Sequence, residues 1–144
     1  MKTVEKSVHI WFSAAEMFRL VTDVKAYPEF LPWCDHGVVL SSSETGMLAE
    51  VGIAFGGIRQ RFRTQNTHIP DRQINISLVE GPFSSLDGQW RFEPLGQERA
   101  CKVTLRLSYG FSGVLGSAIG PVFDRIANSM VEAFVQRANV VYDQ

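Results

Sequence analysis

Between Val38 and Tyr109 the chain is a series of short segments in which apolar and polar residues alternate, and this pattern constrains the fold more than any other feature. Apolar residues take every second position, as in Val51, Ile53 and Phe55, and a period of two is typical of β-strands. Turn-forming pairs separate the segments at Thr45-Gly46, Gly56-Gly57, Pro70-Asp71, Gly81-Pro82 and Gly96-Gln97. The pattern predicts six strands in a β-meander with one polar and one apolar face, and another element has to cover the apolar face.

A strand and a short helix are predicted before the meander. The apolar residues of segment 4–10 occupy its even-numbered positions, which indicates a strand with one buried face. Ser13 and Glu16 have the spacing of a capping box, so a helix is expected to begin there. This helix should end before Tyr27-Pro28, because proline disfavours helical geometry at the preceding residue. The rest of the segment, up to Cys34, is expected to be a short aromatic connection.

A long helix is predicted at the C-terminal end of the sequence, from about Pro121 to Tyr142. Its length would be roughly 33 Å at ~1.5 Å per residue. The apolar residues that follow helical spacing are Ile119, Phe123, Ile126, Met130, Phe134 and Val141. The glycine-rich segment Gly110–Gly120 precedes it, and two readings stay open: the segment extends the helix, or it forms a mobile entrance to it.

The widths of these elements indicate a cavity. Seven strands at ~4.8 Å spacing form a sheet about 29 Å across, whereas one helix is only ~10 to 12 Å wide. Either the sheet curls tightly and its side chains fill the space, or an apolar cavity remains between sheet and helix. The composition of 10 Phe, 3 Trp and 3 Tyr leaves both alternatives open.

Composition and charge set further bounds. The 144 residues are expected to form a single domain, 1–144, because 45% of them are hydrophobic and 20% charged, as in globular proteins. No stretch has the pattern of a signal peptide or a membrane-spanning helix, so a cytoplasmic location is expected. Cys34 and Cys101 have no ligand spacing and are expected to be free, packed thiols. The net charge of −1 creates no overall field for nucleic acid, so DNA is not an expected partner.

Four sequence blocks carry a resemblance to a known family. They are Asp23-Val24 with Tyr27–Cys34, then Val79–Phe83, Leu86–Leu95 and Met130–Tyr142. Together they resemble the family of RatA-type ribosome-association toxins and coenzyme Q-binding START proteins. The resemblance implies an α+β, START-like helix-grip fold: a seven-stranded curved antiparallel sheet wrapped around a long C-terminal helix, with short helices after strand 1. One departure is Asp35–Val38, where the family usually has a basic residue, so no role of that residue is transferred.

The resemblance implies two activities. One is binding of a polyprenyl quinone, such as ubiquinone or a similar polyprenyl lipid, in support of respiratory electron transfer. The other is binding to the large ribosomal subunit, which blocks subunit joining; it raises the question of an antitoxin partner. The quinone alternative adds transient contact with the surface of the inner membrane, for which Val114, Leu115 and Ile119 are candidates. No covalently bound cofactor is expected.

Ten apolar residues are the candidates for quinone binding. At the mouth we expect Tyr27, Phe30, Leu31 and Trp33; along the sheet Phe55, Phe62, Trp90, Phe92 and Tyr109; and on the helix Phe123. An isoprene unit has five carbons, so its burial contributes up to ~4 kcal/mol before binding costs. For each residue the alternative is a purely structural place in the core. Trp33, beside Pro32 in a connecting segment, is expected to act as a gate.

A row of arginines is the candidate for ribosome or anion binding. Arg59, Arg61 and Arg63 alternate onto one face of a predicted strand, while Phe62 points to the other face. Three guanidinium groups within ~13 Å suit a phosphate backbone or anionic lipid headgroups. The alternative is an ordinary solvated sheet face.

Catalysis has little support in the sequence. His9, His36 and His68 lie in different elements without metal-ligand spacing, and no serine or cysteine has a visible base partner. We therefore expect neither an enzyme nor a metal site.

Overall fold

A seven-stranded antiparallel sheet runs through the chain. The computed structural model describes residues 2–142. The strands are β1 (Lys2–Ile10), β2 (Cys34–Ser43), β3 (Gly46–Phe55), β4 (Ile58–Ile69), β5 (Gln73–Glu80), β6 (Ser85–Pro94) and β7 (Cys101–Gly110). The spatial order is β1-β7-β6-β5-β4-β3-β2, so β2 to β7 form a meander and β1 pairs with β7. The expected sheet is confirmed, and β2 begins at Cys34, four residues before Val38.

Two short helices follow β1. The first, α1 (Ala14–Thr22), has the expected capping box: the Glu16 amide donates to Ser13 Oγ over 3.1 Å, and the Ser13 amide donates to Glu16 Oε1 over 2.9 Å. A 3-10 turn (Val24–Ala26) and the single-turn α2 (Tyr27–Phe30) come next. The aromatic connection therefore consists largely of short helical turns, and the short helices expected after strand 1 are confirmed. Tyr27 adopts helical angles before Pro28 because its hydroxyl donates to the Val21 carbonyl and its ring packs on Phe134, 5.5 Å away.

Glu16 also ties α1 to the loop between β6 and β7, and this contact predicts an acid-sensitive contribution to stability. Arg99 Nε donates to Glu16 Oε1 over 2.7 Å, and this bond, with the Ser13 cap, lowers the pKa of Glu16 to about 2. A lowered carboxyl pKa stabilises the fold above about pH 4.5, and the contribution is lost as the pH falls toward 2. Because Arg99 is half exposed and screened, we expect about 1 kcal/mol.

The variant Glu16→Gln isolates this contribution, because glutamine keeps the capping geometry and loses the charge. Chemical denaturation should show it less stable than the parent at pH 7, with the difference shrinking to zero between about pH 5 and pH 2. A difference that stays constant over this range would contradict the assignment.

The long C-terminal helix, α3 (Gly113–Tyr142), begins eight residues before the predicted start. From Gly113 onward the glycine-rich segment is part of the helix, so the first of the two alternatives is observed. Pro121 lies within α3, so the bond that an N–H there would donate to the Ser117 carbonyl is missing. Gly113 has a φ of 76°, and a Cβ on Gly116 would lie 2.7 Å from Phe111 Cβ, so both positions favour glycine.

Aromatic side chains join α3 to the inner face of the sheet. The ring centroids of Tyr109 and Phe123 are 4.7 Å apart, and those of Trp90 and Phe134 are 5.3 Å apart. Cys34 and Cys101 are buried, free thiols, as expected. The predicted helix-grip architecture is therefore confirmed, and it places the apolar face of the sheet against α3.

Candidate functional site: a cavity beneath the long helix and an arginine row on the outer face

An apolar cavity of about 90 Å³ lies between the sheet and α3. Strands β3 to β7 supply one wall, and Phe123, Ile126, Met130 and Phe134 of α3 supply the opposite wall. The cavity follows from the mismatch in width between sheet and helix, although aromatic side chains fill most of the space. The outcome is intermediate between the filled core and the tunnel that the sequence left open.

Five of the ten candidate residues line this cavity: Tyr27, Trp33, Phe62, Trp90 and Phe123. They come from α2, the segment before β2, β4, β6 and α3, so the fold assembles them from distant parts of the sequence. The Tyr27 hydroxyl already donates to the Val21 carbonyl, and burial raises the pKa of this phenol. Tyr27 therefore offers the cavity a neutral aromatic wall.

Two of the other five candidates lie in the core beyond the cavity wall. Leu31 is buried among core side chains. Phe92 is also fully buried, and its ring stacks beside that of Trp90 with the centroids 6.1 Å apart. Its place two residues along β6 from Trp90 puts it on the correct face of the sheet but not against the cavity.

The remaining three candidates, Phe30, Phe55 and Tyr109, do not line the cavity. Phe55 is 44% exposed because it ends β3 at the Gly56-Gly57 turn. Phe30 packs on Phe134, with the guanidinium of Arg137 5.0 Å above its ring. Tyr109 is buried, but its hydroxyl donates to Asp124 Oδ1 over 2.6 Å and borders a separate surface groove.

Trp33 separates the cavity from an outer groove. Its side chain borders the cavity on one side and, on the other, a groove of about 530 Å³ between α2 and α3. Only 7% of Trp33 is exposed, and it belongs to the hydrophobic core. The expectation that Trp33 lies outside the core is therefore corrected: Trp33 is a core residue that also stands between the cavity and the outer groove. Its truncation removes core packing as well as a wall.

The cavity is smaller than the ligands considered for it. An apolar cavity of ~150 Å³ holds a benzene ring in other proteins, and this cavity measures about 90 Å³. A ring with an isoprenoid tail therefore enters only if a wall moves. Trp33 is the wall with free volume on its far side.

The inner face of β4 carries polar residues that the sequence reasoning missed. Phe62, Thr64, Asn66 and His68 alternate with the arginines and share one face, and Thr64 and Asn66 line the cavity. Among the described residues, Asn66 Oδ1 and His68 Nε2 are the buried side-chain oxygen and nitrogen atoms without a hydrogen-bond partner. Burial lowers the pKa of His68. The same alternation that placed Phe62 on the inner face also predicts that Thr64, Asn66 and His68 face inward.

The arginine row lies on the outer face of β4, where acidic residues compensate part of its charge. Arg63 Nε donates to Glu50 Oε2 over 2.7 Å, and Arg61 Nη1 is 3.9 Å from Glu50 Oε1. His36 Nε2 is 2.8 Å from the same oxygen of Glu50. Arg59 is exposed and makes no ion pair within residues 2–142.

The electrostatics of this cluster follow from Glu50, which is mostly buried between its partners. The hydrogen bond from Arg63, followed by that from His36, lowers the pKa of the Glu50 carboxyl. The carboxylate in turn raises the pKa of Arg63. The cluster therefore keeps one negative charge inside the arginine row, and Arg59 and Arg61 are the more available cations.

Two negative findings apply to residues 2–142. They contain no helix that is long and apolar enough to cross a membrane. They also contain no group of three or more His, Cys, Asp or Glu side chains placed to hold a metal ion.

An antiparallel sheet closed over a long C-terminal helix around an apolar cavity defines the helix-grip class of START-like proteins. Residues 10–135 match the family model described as polyketide cyclase / dehydrase and lipid transport. The chain belongs to this family, in the START-like group that includes the RatA and coenzyme Q-binding proteins.

Two groups of relatives, which carry different names, support the assignment to this family. A Pseudomonas aeruginosa protein named ribosome association toxin RatA is 46% identical over 140 residues, which cover 96% of each chain. The Xenopus laevis mitochondrial coenzyme Q-binding protein COQ10 homolog B is 32% identical over 135 residues, which cover 91% of this chain and 55% of the frog protein.

Solved structures share the fold. The 18 kDa protein CC1736 from Caulobacter crescentus matches with a TM-score of 0.76 at 28% identity over the whole of both chains. The Zhui aromatase/cyclase from Streptomyces matches with a TM-score of 0.83 over 99% of this chain and 97% of its own, at 16% identity. The second likeness concerns the fold alone.

Proposed function

We propose that this protein binds a polyprenyl quinone, or a similar polyprenyl lipid, in the cavity beneath α3, in support of respiratory electron transfer. The observation that carries the proposal is a cavity with mainly aromatic and aliphatic walls, in a fold whose sheet and long helix leave space between them. A quinone ring stacks on aromatic side chains, and isoprene units gain free energy when apolar walls replace water. A relative with a coenzyme Q-binding name supports the choice of ligand.

Ligand entry by this proposal requires displacement of Trp33 toward the outer groove. The ring occupies the cavity, and the tail continues into the space between α2 and α3. Phe30 borders this groove and supplies an apolar wall for the tail. Of the ten candidate residues, Phe30 borders the groove and not the cavity, whereas Trp33 borders both the groove and the cavity.

A site of lipid uptake is available at the N-terminal end of α3. Val114 is 90% exposed and Leu115 is 48% exposed, whereas Ile119 is fully buried and is removed from the membrane-facing set. Exposed apolar side chains at the start of a helix insert readily into a bilayer surface. Transient contact with a membrane would bring the cavity to its hydrophobic ligand.

Native mass spectrometry of the purified protein tests the ligand proposal. We expect a bound species with the mass of a polyprenyl quinone, and a melting temperature that rises when short-chain ubiquinone is added to lipid-free protein. Lipid-free protein on purification together with an unchanged melting temperature would contradict it.

A second candidate function is association with the large ribosomal subunit. The observation that favours it is the 46% identity, over nearly the whole chain, to proteins named ribosome association toxins. The exposed Arg59 and Arg61 supply the phosphate-binding groups for this role, because guanidinium groups bind phosphate in a bidentate manner. The arginine row and the cavity lie on opposite faces of β4, so one molecule has room for both activities.

Sedimentation on a sucrose gradient tests the second candidate. We expect the protein to travel with free large subunits and to reduce the fraction of joined ribosomes. Protein that stays at the top of the gradient at low salt would contradict this role and leave the lipid proposal unaffected.

A further inference from the structure

A single amide interrupts the apolar wall that β4 gives to the cavity. Asn66 points inward, and its register partners on the neighbouring strands are Met47 of β3 and Ile76 of β5. Neither side chain has a hydrogen-bonding nitrogen or oxygen, so Asn66 Oδ1 is buried without a partner. A buried acceptor without a donor destabilises the folded protein. Asn66 therefore lowers the stability of the folded protein, and core packing does not explain its presence.

We infer that Asn66, with Thr64 beside it on the same wall, hydrogen-bonds the oxygen atoms of the ligand's ring, so that a quinone or quinol enters the cavity ring first. An amide provides both an acceptor for a quinol hydroxyl and a donor for a quinone carbonyl. Thr64 is 5% exposed and adds a hydroxyl group. This inference rests on the proposed lipid-binding function and assigns the polar end of the ligand.

The position of Asn66 along the sheet sets the direction that this inference gives to the ligand. Asn66 is opposite Met47, near the start of β3, whereas the Trp33 carbonyl accepts a hydrogen bond from the Ala54 amide near the end of β3. Seven residues of strand separate these two points on the backbone, about 23 Å at ~3.3 Å per residue. By this inference the ring lies beside Asn66, and the tail runs toward Trp33 and the outer groove.

The variant Asn66→Leu tests the inference, because leucine keeps the number and branching of the side-chain heavy atoms and removes the amide. Two probes are titrated into lipid-free protein: a short-chain ubiquinone, and a polyprenyl hydrocarbon of the same chain length without the ring. We expect the ubiquinone Kd to rise about three- to tenfold, the value of one hydrogen bond, while the hydrocarbon Kd stays the same or falls. The melting temperature of the lipid-free variant should rise, because the orphaned acceptor is gone.

Ile76→Val is the matched control, since it changes the apolar neighbour of Asn66 and should alter both Kd values by the same factor. If Asn66→Leu does not fold, Asn66→Ala also removes the amide, with a smaller side chain, and should give the same ordering of the two probes. Equal effects of the Asn66 variant on both probes, or no effect on either, would overturn the assignment and show that Asn66 binds only water or packs passively. Binding of neither probe by the parent would overturn the lipid proposal and this inference together.

Discussion

Ala49→Met is expected to abolish lipid binding without loss of stability. Ala49 is buried on the inner face of β3 and lines the cavity. A methionine there adds three heavy atoms, which occupy much of a cavity of about 90 Å³. Methionine adapts its shape to irregular gaps, so the free energy of unfolding should stay within about 1 kcal/mol of the parent. The Kd for short-chain ubiquinone should rise at least tenfold in the same fluorescence or calorimetric titration.

The matched control is Ala54→Met on the outer face of β3. Ala54 is opposite Arg59 and lies outside the cavity lining, so the same three atoms are added away from the site. Its lipid affinity should equal that of the parent. Unchanged affinity in Ala49→Met, with a folded protein by circular dichroism, would move the ligand out of the cavity and into the groove beyond Trp33.

The parts of the fold that the sequence predicted correctly depend on local chemistry. Gly56 and Gly57 both have positive φ and close the β3–β4 hairpin, as their pairing indicated. The capping box at Ser13 fixes the start of α1 for the same reason, since both of its hydrogen bonds join residues three positions apart. Such signals are complete within a few residues and need no tertiary information.

The start of α3 and the helical conformation of Tyr27 could not be predicted from such local signals. Pro121 indicates a helix start by local rules, but Ile119 is fully buried and holds the preceding turns against the core. Tyr27 is helical because its ring and hydroxyl contact Phe134 and the Val21 carbonyl. In both places distant packing outweighs a local proline preference.

The candidate site shows the same division. Alternation placed Trp90 and Phe92 on the inner face correctly, but which of two neighbouring inner residues meets the cavity depends on where α3 crosses. Asn66 was missed because only apolar residues were considered as candidates for the cavity, although alternation from Phe62 places Asn66 on the inner face. The pairing of Glu50 with Arg61 and Arg63 joins adjacent strands and depends on the β3–β4 register.

The arginine row gives the second large expected effect, a weakening of ribosome association when its charges are removed. The triple variant Arg59→Gln, Arg61→Gln and Arg63→Gln should fold and should lower the salt slope of large-subunit binding by up to ~2 to 3 units. The proposed lipid site lies on the opposite face of β4, so lipid binding should not change. A triple variant that sediments as the parent does, with the same salt response, would rule out this surface.

The single variants should differ, because Glu50 pairs closely with Arg63 and weakly with Arg61, whereas Arg59 has no ion pair with it. Arg59→Gln should weaken association more than Arg63→Gln, since Arg63 already shares its charge with Glu50 at 2.7 Å and with Glu80 at 3.9 Å. Arg63→Gln should also disturb the fold slightly, because it deprives Glu50 of its strongest partner. Equal losses from the two single variants would mean that the RNA displaces Glu50 on binding.

Glu50→Gln provides the opposite change on the same surface. The glutamine keeps a similar shape and can still accept from Arg63, but it removes the negative charge that lies among Arg61, Arg63 and His36. The guanidinium groups then have their full charge available for phosphate, so large-subunit binding should tighten and its salt slope should steepen by up to ~1 unit. Glu80→Gln is the matched control, because Glu80 lies 3.9 Å from Arg63 and is largely exposed, so its charge is already screened by water. Tighter binding in Glu50→Gln but not in Glu80→Gln would assign the ribosome contact to this cluster, and weaker binding in Glu50→Gln would show instead that the carboxylate is needed to hold the arginines in place.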